Sequence, residues 1–382
     1  MKSKVALIRC GSYHNEEVKS AVKRGLELLG GTGKFFFPGE NILLKVNLLI
    51  GDPPEKCVTT HPAVFRAVAE ILTETGVKLS YGDSPGFGST EHAARKSGIL
   101  TVAQELKIEI ANFKEGVEIF HEKGIQNRVF SVARAITESD GIVSLPKFKT
   151  HALERFTGCI KNQFGCIVGI KKGEFHVKLP DAHDFARMLV DLNNYIRPRL
   201  YVMDGIMAME GNGPRGGNPK AMNVLLLSDD PVAIDATACR MINLNPLYVP
   251  VIPFGYESGA GTYLESEIEI VGDDPESFYS PDFKIERSPL RSYNKNSFIN
   301  VVNNSLVPKP VIIEEKCTKC GTCINNCPVT GKAINWNDGD KNSPPVYDYH
   351  KCIRCYCCQE LCPENAIIVK MPVLRRIINT FQ

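Results

Sequence analysis

The sequence predicts an α/β protein: a mainly parallel sheet with helices on both faces, followed by a small α+β domain built from a cysteine-rich repeat. Three observations carry this. Short apolar runs alternate with amphipathic stretches over residues 1–275. Polar, glycine-rich segments recur where those runs end. Eight of the 14 cysteines fall into two equally spaced groups between residues 317 and 362. Short strands, each followed by a helix-length amphipathic segment, favour parallel pairing over a sandwich of hairpins.

Taken in order, the periodicity predicts strands at 5–8, 42–46, 78–82, 141–145, 200–203 and 224–227. Helices are expected at 16–29, 61–75, 131–138, 154–169, 182–195 and 231–242. Residues 276–309 are polar, proline-containing and without periodicity, and read as the connection to a second domain over 310–372. The tail, 373–382, reads as a helix packing on the body or on a second subunit, and leaves the oligomeric state open.

Composition narrows the class. Hydrophobic residues make up 43%, the share of an ordinary globular chain. A net charge of +2 gives no basic excess for nucleic acid. No apolar run reaches membrane-spanning length, and the first one is too short for a signal peptide. Abundant cysteine without a secretion signal implies a reducing compartment, and the expected location is the cytoplasm.

The cysteine groups carry the most specific chemistry. Cys317, Cys320, Cys323 and Cys327-Pro328 read C-x2-C-x2-C-x3-C-P, and Cys352, Cys355, Cys358 and Cys362-Pro363 read the same. Three thiolates two residues apart wrap one iron–sulfur cubane, and the fourth, before the proline, reaches the other. The expected cofactors are therefore two [4Fe–4S] clusters, one held by Cys317, Cys320, Cys323 and Cys362, the other by Cys352, Cys355, Cys358 and Cys327. Zinc pairs lack the third cysteine and the Cys-Pro step. The repeat resembles a bacterial two-cluster ferredoxin domain, with an inserted segment around Asn335–Pro345 that reads as an extended hairpin or as a solvated loop.

In open α/β sheets, ligands bind beyond the C-terminal strand ends. Those ends carry Lys45-Val46-Asn47, Gly82-Asp83-Ser84-Pro85-Gly86, Pro146-Lys147-Phe148-Lys149-Thr150-His151 and Asp204 with Glu210 to Gly217. Converging, they would set Lys45, Lys147, Lys149, His151 and Arg215 against Asp83, Asp204 and Glu210. Crowded lysines suit a carboxylate or phosphate and lower one another's pKa. Lys161-Asn162, within an otherwise apolar periodic stretch, adds a lysine that needs a partner or a ligand. Lys147, Lys149, His151, Lys161 and Asp83 are thus the candidate catalytic residues. Cys159 and Cys166, two helical turns apart, are too far separated to share an ion, and read as small buried apolar residues.

Lys45-Val46-Asn47, Thr60-His61-Pro62, Gly82 to Gly86, Pro146 to His151, Thr157-Gly158 with Lys161-Asn162 and Phe164-Gly165, and Asp230 to Asp235 together resemble a family known as domain of unknown function 362. The resemblance spans roughly residues 1–250 and implies a shared α/β fold and polar cleft, without a reaction. Three functional readings follow. One is an oxidoreductase passing electrons from the clusters to an anionic small molecule in the cleft, fed by a redox donor or acceptor protein. The second is a ferredoxin-type carrier whose α/β domain only docks a partner. A scaffold for metallocofactor assembly is the third.

Overall fold

A computed structural model describes residues 2–169, 171–291 and 306–372. The expected tail helix lies outside the described residues. Among the described residues the chain builds a ten-stranded sheet and three two-stranded ones. In chain order the strands are β1 (Ser3–Arg9), β2 (Asn41–Lys45), β3 (Lys78–Gly82), β4 (Glu109–Ile110), β5 (Gly116–Phe120), β6 (Val129–Ala133), β7 (Gly141–Ser144), β8 (Lys147–His151), β9 (Arg155–Thr157), β10 (Leu200–Glu210), β11 (Asn218–Ser228) and β12 (Ile268–Gly272).

The large sheet runs β12-β1-β11-β10-β7-β2-β3-β4. Its pairs are parallel except at β11, which runs antiparallel to both β1 and β10, and at β9, which runs antiparallel to β8. Alternation sorts side chains to two faces. Val5, Leu7, Leu43 and Leu226 enter one core, together with helices Ala182–Ile196 and Pro231–Met241. Ala6, Ile8, Ile42 and Leu44 enter the other, against helices Asn15–Leu28 and Pro62–Thr73. The α/β class with helices on both faces is therefore what the chain adopts.

Helix starts follow local chemistry. Pro62–Thr73 and Pro231–Met241 both carry proline in the first turn, where the missing N–H is not needed. The Asp230 side chain accepts from the N–H groups of Val232 and Ala233, and Asp181 does the same for His183 and Asp184.

Two expected helices differ. Over 131–138 only Arg134–Thr137 is helical, because Val129–Ala133 pairs as β6 with β5. Over 154–169 the chain forms β9, then a short helix Cys159–Asn162, then a 3-10 turn Gln163–Cys166. Its apolar residues mimic a helical period because all three pieces bury into the same core. Glycine is needed at both breaks. A Cβ at Gly158 would meet the Asp235 carboxylate at 2.0 Å, and one at Gly165 would meet that of Asp83 at 1.8 Å.

The connecting segment is packed rather than loose where it is described. Phe283 is fully buried, edge-on to Phe148, and Arg287 donates to the carbonyls of Ile242, Asn243, Pro281 and Phe283. In the cysteine-rich domain, strands Lys309–Ile312 and Ile367–Lys370 pair antiparallel, as do Ile334–Asn335 and Val346–Tyr347. This domain sits on the C-terminal edge of the large sheet. The Asn212 side chain donates to Ile367 O, and Gln359 donates to the carbonyls of Asn212 and Gly213. Arg215 holds Asp52 through two nitrogens and also donates to Cys362 O.

Candidate functional site

Between the strand ends and the cysteine-rich domain lies a cavity of about 750 Å³. From the sheet side Lys45, Asp83, Lys149, His151 and Lys161 border it, and from the other side Asn326, Cys327, Pro328, Cys357 and Glu360.

Its floor is a chain of charge and amide. Lys45 Nζ lies 3.0 Å from Asp83 Oδ1 and donates to Asn162 Oδ1 at 2.8 Å. Asp83 Oδ2 accepts the Leu48 N–H at 2.7 Å. Asn47 donates to Asn162 and accepts from Lys149 Nζ at 2.8 Å, and Lys149 also donates to Val58 O at 2.6 Å. Both Lys45 and Lys149 are 1% exposed, so every donor they carry is spent on protein or faces the cavity. Burial, then the charge of Lys161, lowers Lys149 from 10.5 to about 7.

Lys161 is the opposite case. Its Nζ stands 5.2 Å over the Phe164 ring, and among the described residues it has no hydrogen-bond or ion-pair partner. It borders the cavity as a cation without such a partner among the described residues. Lys172 reaches in from helix Lys171–Lys178, donating to Ser84 Oγ at 2.8 Å, Pro85 O at 3.2 Å and Ser84 O. Burial lowers it to about 8. His176 on the same helix stacks on Phe185 at 4.5 Å, and burial drops it to about 4, so it is neutral.

His151 Nδ1 accepts the N–H groups of Leu153 and Glu154, both at 3.1 Å. Its proton therefore sits on Nε2, which approaches Glu360 Oε1 at 3.0 Å but off the hydrogen-bond line. Burial and Lys161 lower the imidazole below its ordinary value, consistent with this neutral tautomer.

Four of the five expected catalytic residues thus meet in one cavity. Lys147 does not. Its ammonium pairs with Asp204 at 2.7 Å and with Tyr13 Oη at 2.9 Å, and neither charged side chain is exposed. Alternation along β8 should put Lys147 on the side of Lys149, but the register with β10 slips between Asp204 and Met209, and Asp204 lies directly opposite Lys147. Nor do Asp204, Glu210 and Arg215 reach the cavity: Glu210 accepts from Lys284 N at 2.8 Å, and Arg215 clamps the second domain. Lys172, His176 and Glu360 were not read from the sequence. A Lys-Lys-Gly segment looks like surface, and only the tertiary fold turns it inward. Glu360 had a weak signal in its place between two ligand-type cysteines.

Two smaller cavities divide the cysteines. One is bordered by Cys317, Cys320, Cys323 and Cys362, the other by Cys327, Cys352, Cys355 and Cys358. The Ala366 N–H donates to Cys362 Sγ at 3.3 Å and the Ala333 N–H to Cys327 Sγ at 3.4 Å. Four thiols around each cavity, with amides aimed at sulfur, fit an iron–sulfur cubane. Among the described residues no group of three or more His, Cys, Asp or Glu gathers tightly enough for a single ion. Cys159 and Cys166 are wholly buried away from both cavities, and burial pushes the Cys166 thiol up to about 12.

An α/β domain capped by such a repeat defines an iron–sulfur protein with a ferredoxin-type, electron-carrying domain. The model of the 4Fe-4S dicluster domain matches residues 309–365. The chain belongs to the family described as domain of unknown function (DUF362), matched over residues 42–240. It is 35% identical to the thylakoid-associated protein of Synechocystis sp. over 317 residues, 80% of this chain and 98% of that one. An uncharacterized ferredoxin of Methanocaldococcus jannaschii is 36% identical over 61 residues, 16% of this chain and 77% of that one. Among solved structures, the lactate racemase apoprotein from Thermoanaerobacterium thermosaccharolyticum aligns with a TM-score of 0.41 at 13% identity, covering 63% of this chain and 57% of that one. A Thermotoga maritima protein aligns with a TM-score of 0.39 at 13% identity, covering 61% and 60%. The chain thus spans less than two thirds of either solved protein. Among the described residues no helix is long and apolar enough to cross a membrane.

Proposed function

We propose that the protein is an iron–sulfur oxidoreductase that carries electrons between a redox partner protein and an anionic small molecule bound between the two domains. The reading includes two [4Fe–4S] clusters with crossed ligation, one on Cys317, Cys320, Cys323 and Cys362, the other on Cys352, Cys355, Cys358 and Cys327. One observation carries it: Cys327 and Pro328 border both the second thiol cavity and the cavity floored by Lys45, Lys149 and Lys161. A mere carrier has no need of a cationic pocket at that wall.

When bound, a [4Fe–4S] cluster supplies electrons one at a time. The chain's own residues do the rest. Lys161, with no partner among the described residues, binds the anionic group, and Lys172 adds charge from the facing helix. Asp83 holds Lys45 and the Leu48 N–H, which fixes the strand end carrying Asn47. Lys149 is the proton-exchanging group. At about 7 it gives up a proton near neutrality, and as a neutral amine it keeps its bonds to Asn47 and Val58. The docked cysteine-rich domain walls one side of the cavity, and the water it displaces there strengthens these interactions. Exposure of Cys320 supports electron exchange with a partner protein at that site. The fitting compartment is reducing, the cytoplasm, where thiolates stay available as cluster ligands.

The test is anaerobic calorimetry of the holoprotein against a panel of short carboxylates and phosphate esters. Saturable binding of at least one member, abolished in Lys161→Met, is expected. No saturable binding by any anion would return the protein to the carrier class.

A further inference from the structure

The two halves of the cysteine-rich domain are repeats, and comparing them position by position exposes a break in their symmetry beside the thiols. Cys317, Cys320, Cys323 and Cys327 recur at a constant offset as Cys352, Cys355, Cys358 and Cys362. The backbone keeps the same register. Lys319 and Arg354 share a left-handed conformation, φ 58° and 60°, as do Gly321 and Tyr356, φ 72° and 61°. At this offset Ile312 corresponds to Tyr347. Each borders its own thiol cavity, Ile312 that of Cys323 and Tyr347 that of Cys358. Ile312 has nothing to donate. The Tyr347 hydroxyl donates to Cys358 Sγ at 3.2 Å.

This inference rests on the ligand assignment proposed above. We propose that the Tyr347 hydroxyl, by donating to Cys358, makes the cavity-side site the first of the two to be reduced, so that electrons entering at the exposed site run toward the cavity. Reduction adds one negative charge that spreads onto the ligand sulfurs. A donor hydrogen bond to such a sulfur stabilises the reduced form more than the oxidised one. Each inward transfer moves one electron, oxidising the outer site and reducing the inner one, with no bond made or broken.

Neighbouring groups bear on whether the hydroxyl prevails. Thr322 Oγ1 contacts Cys320 Sγ at 3.3 Å on the outer site, but Cys320 is exposed, and water can supply the same bond there. The bond from Tyr347 lies away from bulk water, where a donor counts for more. Burial of Cys327, Cys352, Cys355 and Cys358 works the other way, since it disfavours added charge. Arg354 offsets this: it is 4% exposed and permanently cationic, whereas its repeat counterpart Lys319 is exposed to water.

The experiment is a redox titration of the anaerobic holoprotein, followed by electron paramagnetic resonance, for the parent and for Tyr347→Phe. The parent should show two one-electron steps. In the variant the less negative step should move to more negative potential while the other stays. The inference is overturned if neither step moves, if both move together, or if only the more negative one moves. Should the variant fail to load iron, the parent alone decides. Exchange into heavy water should shift its Fe–S(Cys) stretching bands, and should remove an exchangeable-proton coupling from the site reduced first. Absence of that coupling overturns the inference. Iron and sulfide analysis separates the two levels: a parent with one cluster, or with zinc, fails at the ligand assignment, and two clusters indifferent to Tyr347 fail here alone.

Discussion

His151 Nε2 lies 3.0 Å from Glu360 Oε1, and this contact joins the end of β8 to the helix Cys357–Leu361 of the cysteine-rich domain. Two backbone N–H groups on Nδ1 fix the tautomer, so the imidazole can offer only its Nε2 proton across the boundary. Glu360→Ala removes the carboxylate that faces this proton and with it one contact between the two domains. Hydrogen exchange over residues 352–370 should quicken in this variant while the β1–β3 region stays protected. Unchanged exchange would mean that Asn212, Arg215 and Gln359 hold the interface unaided.

Lys147 and Lys161 should separate stability from binding. Lys147→Ala strands the Asp204 carboxylate in the interior and should cost about 3–5 kcal/mol, seen as a large fall in melting temperature. Lys161→Met breaks no pairing among the described residues and should stay within about 0.5 kcal/mol of the parent. Its anion affinity should nonetheless fall at least about tenfold. A melting temperature lowered as much by Lys161→Met as by Lys147→Ala would make Lys161 a structural residue.

The depressed Lys149 dictates two pH trends of opposite use. Below about 7 the folded protein holds this ammonium charged against burial, and that penalty is present in full. As pH rises from about 7 toward the unfolded value of 10.5, the unfolded chain binds more protons, so this group's contribution to stability improves. Anion affinity runs the other way, falling as Lys149 and then Lys172, near 8, lose charge. Calorimetry between pH 6 and 9 should show the fall, and Lys149→Met should flatten its lower half. An affinity that climbs with pH would contradict a cationic cavity.

The crossed cysteine sets predict that Cys327→Ser harms the site of the other motif. Iron should drop from about eight to about four per chain, and the remaining signal should be that of the exposed site. Loss of the exposed site instead, with the cavity-side signal kept, would favour ligation within each motif.

Much of this was legible in the sequence, for identifiable reasons. The strand Lys78–Gly82 was read to the residue because Gly76 and the Asp83-Ser84-Pro85 turn bracket it. The polar strand ends announced a cleft, and the Cys-Pro steps announced the grouping of thiols that the two small cavities show. What failed was tertiary in origin. The outer parts of β10 and β11 carry Asp204, Glu210 and Asn218, so their eleven-residue pairing does not look apolar. Lys147 resembles Lys149 until the slipped register with β10 brings Asp204 opposite it. Lys172 and His176 belong to a helix whose inward face exists only because the strand end after β3 lies beside it.

The account turns on electrons reaching a small anion beside Lys161, and single-turnover reoxidation tests this most directly. Holoprotein reduced anaerobically and freed of reductant is mixed with each carboxylate or phosphate ester that binds, and recovery of the cluster absorbance is followed in the stopped flow. At least one bound anion should reoxidise the parent far faster than buffer does, and Lys161→Met, reduced equally well, should lose that acceleration. Reoxidation by partner proteins alone, with every bound anion inert, or an acceleration indifferent to Lys161, would contradict it.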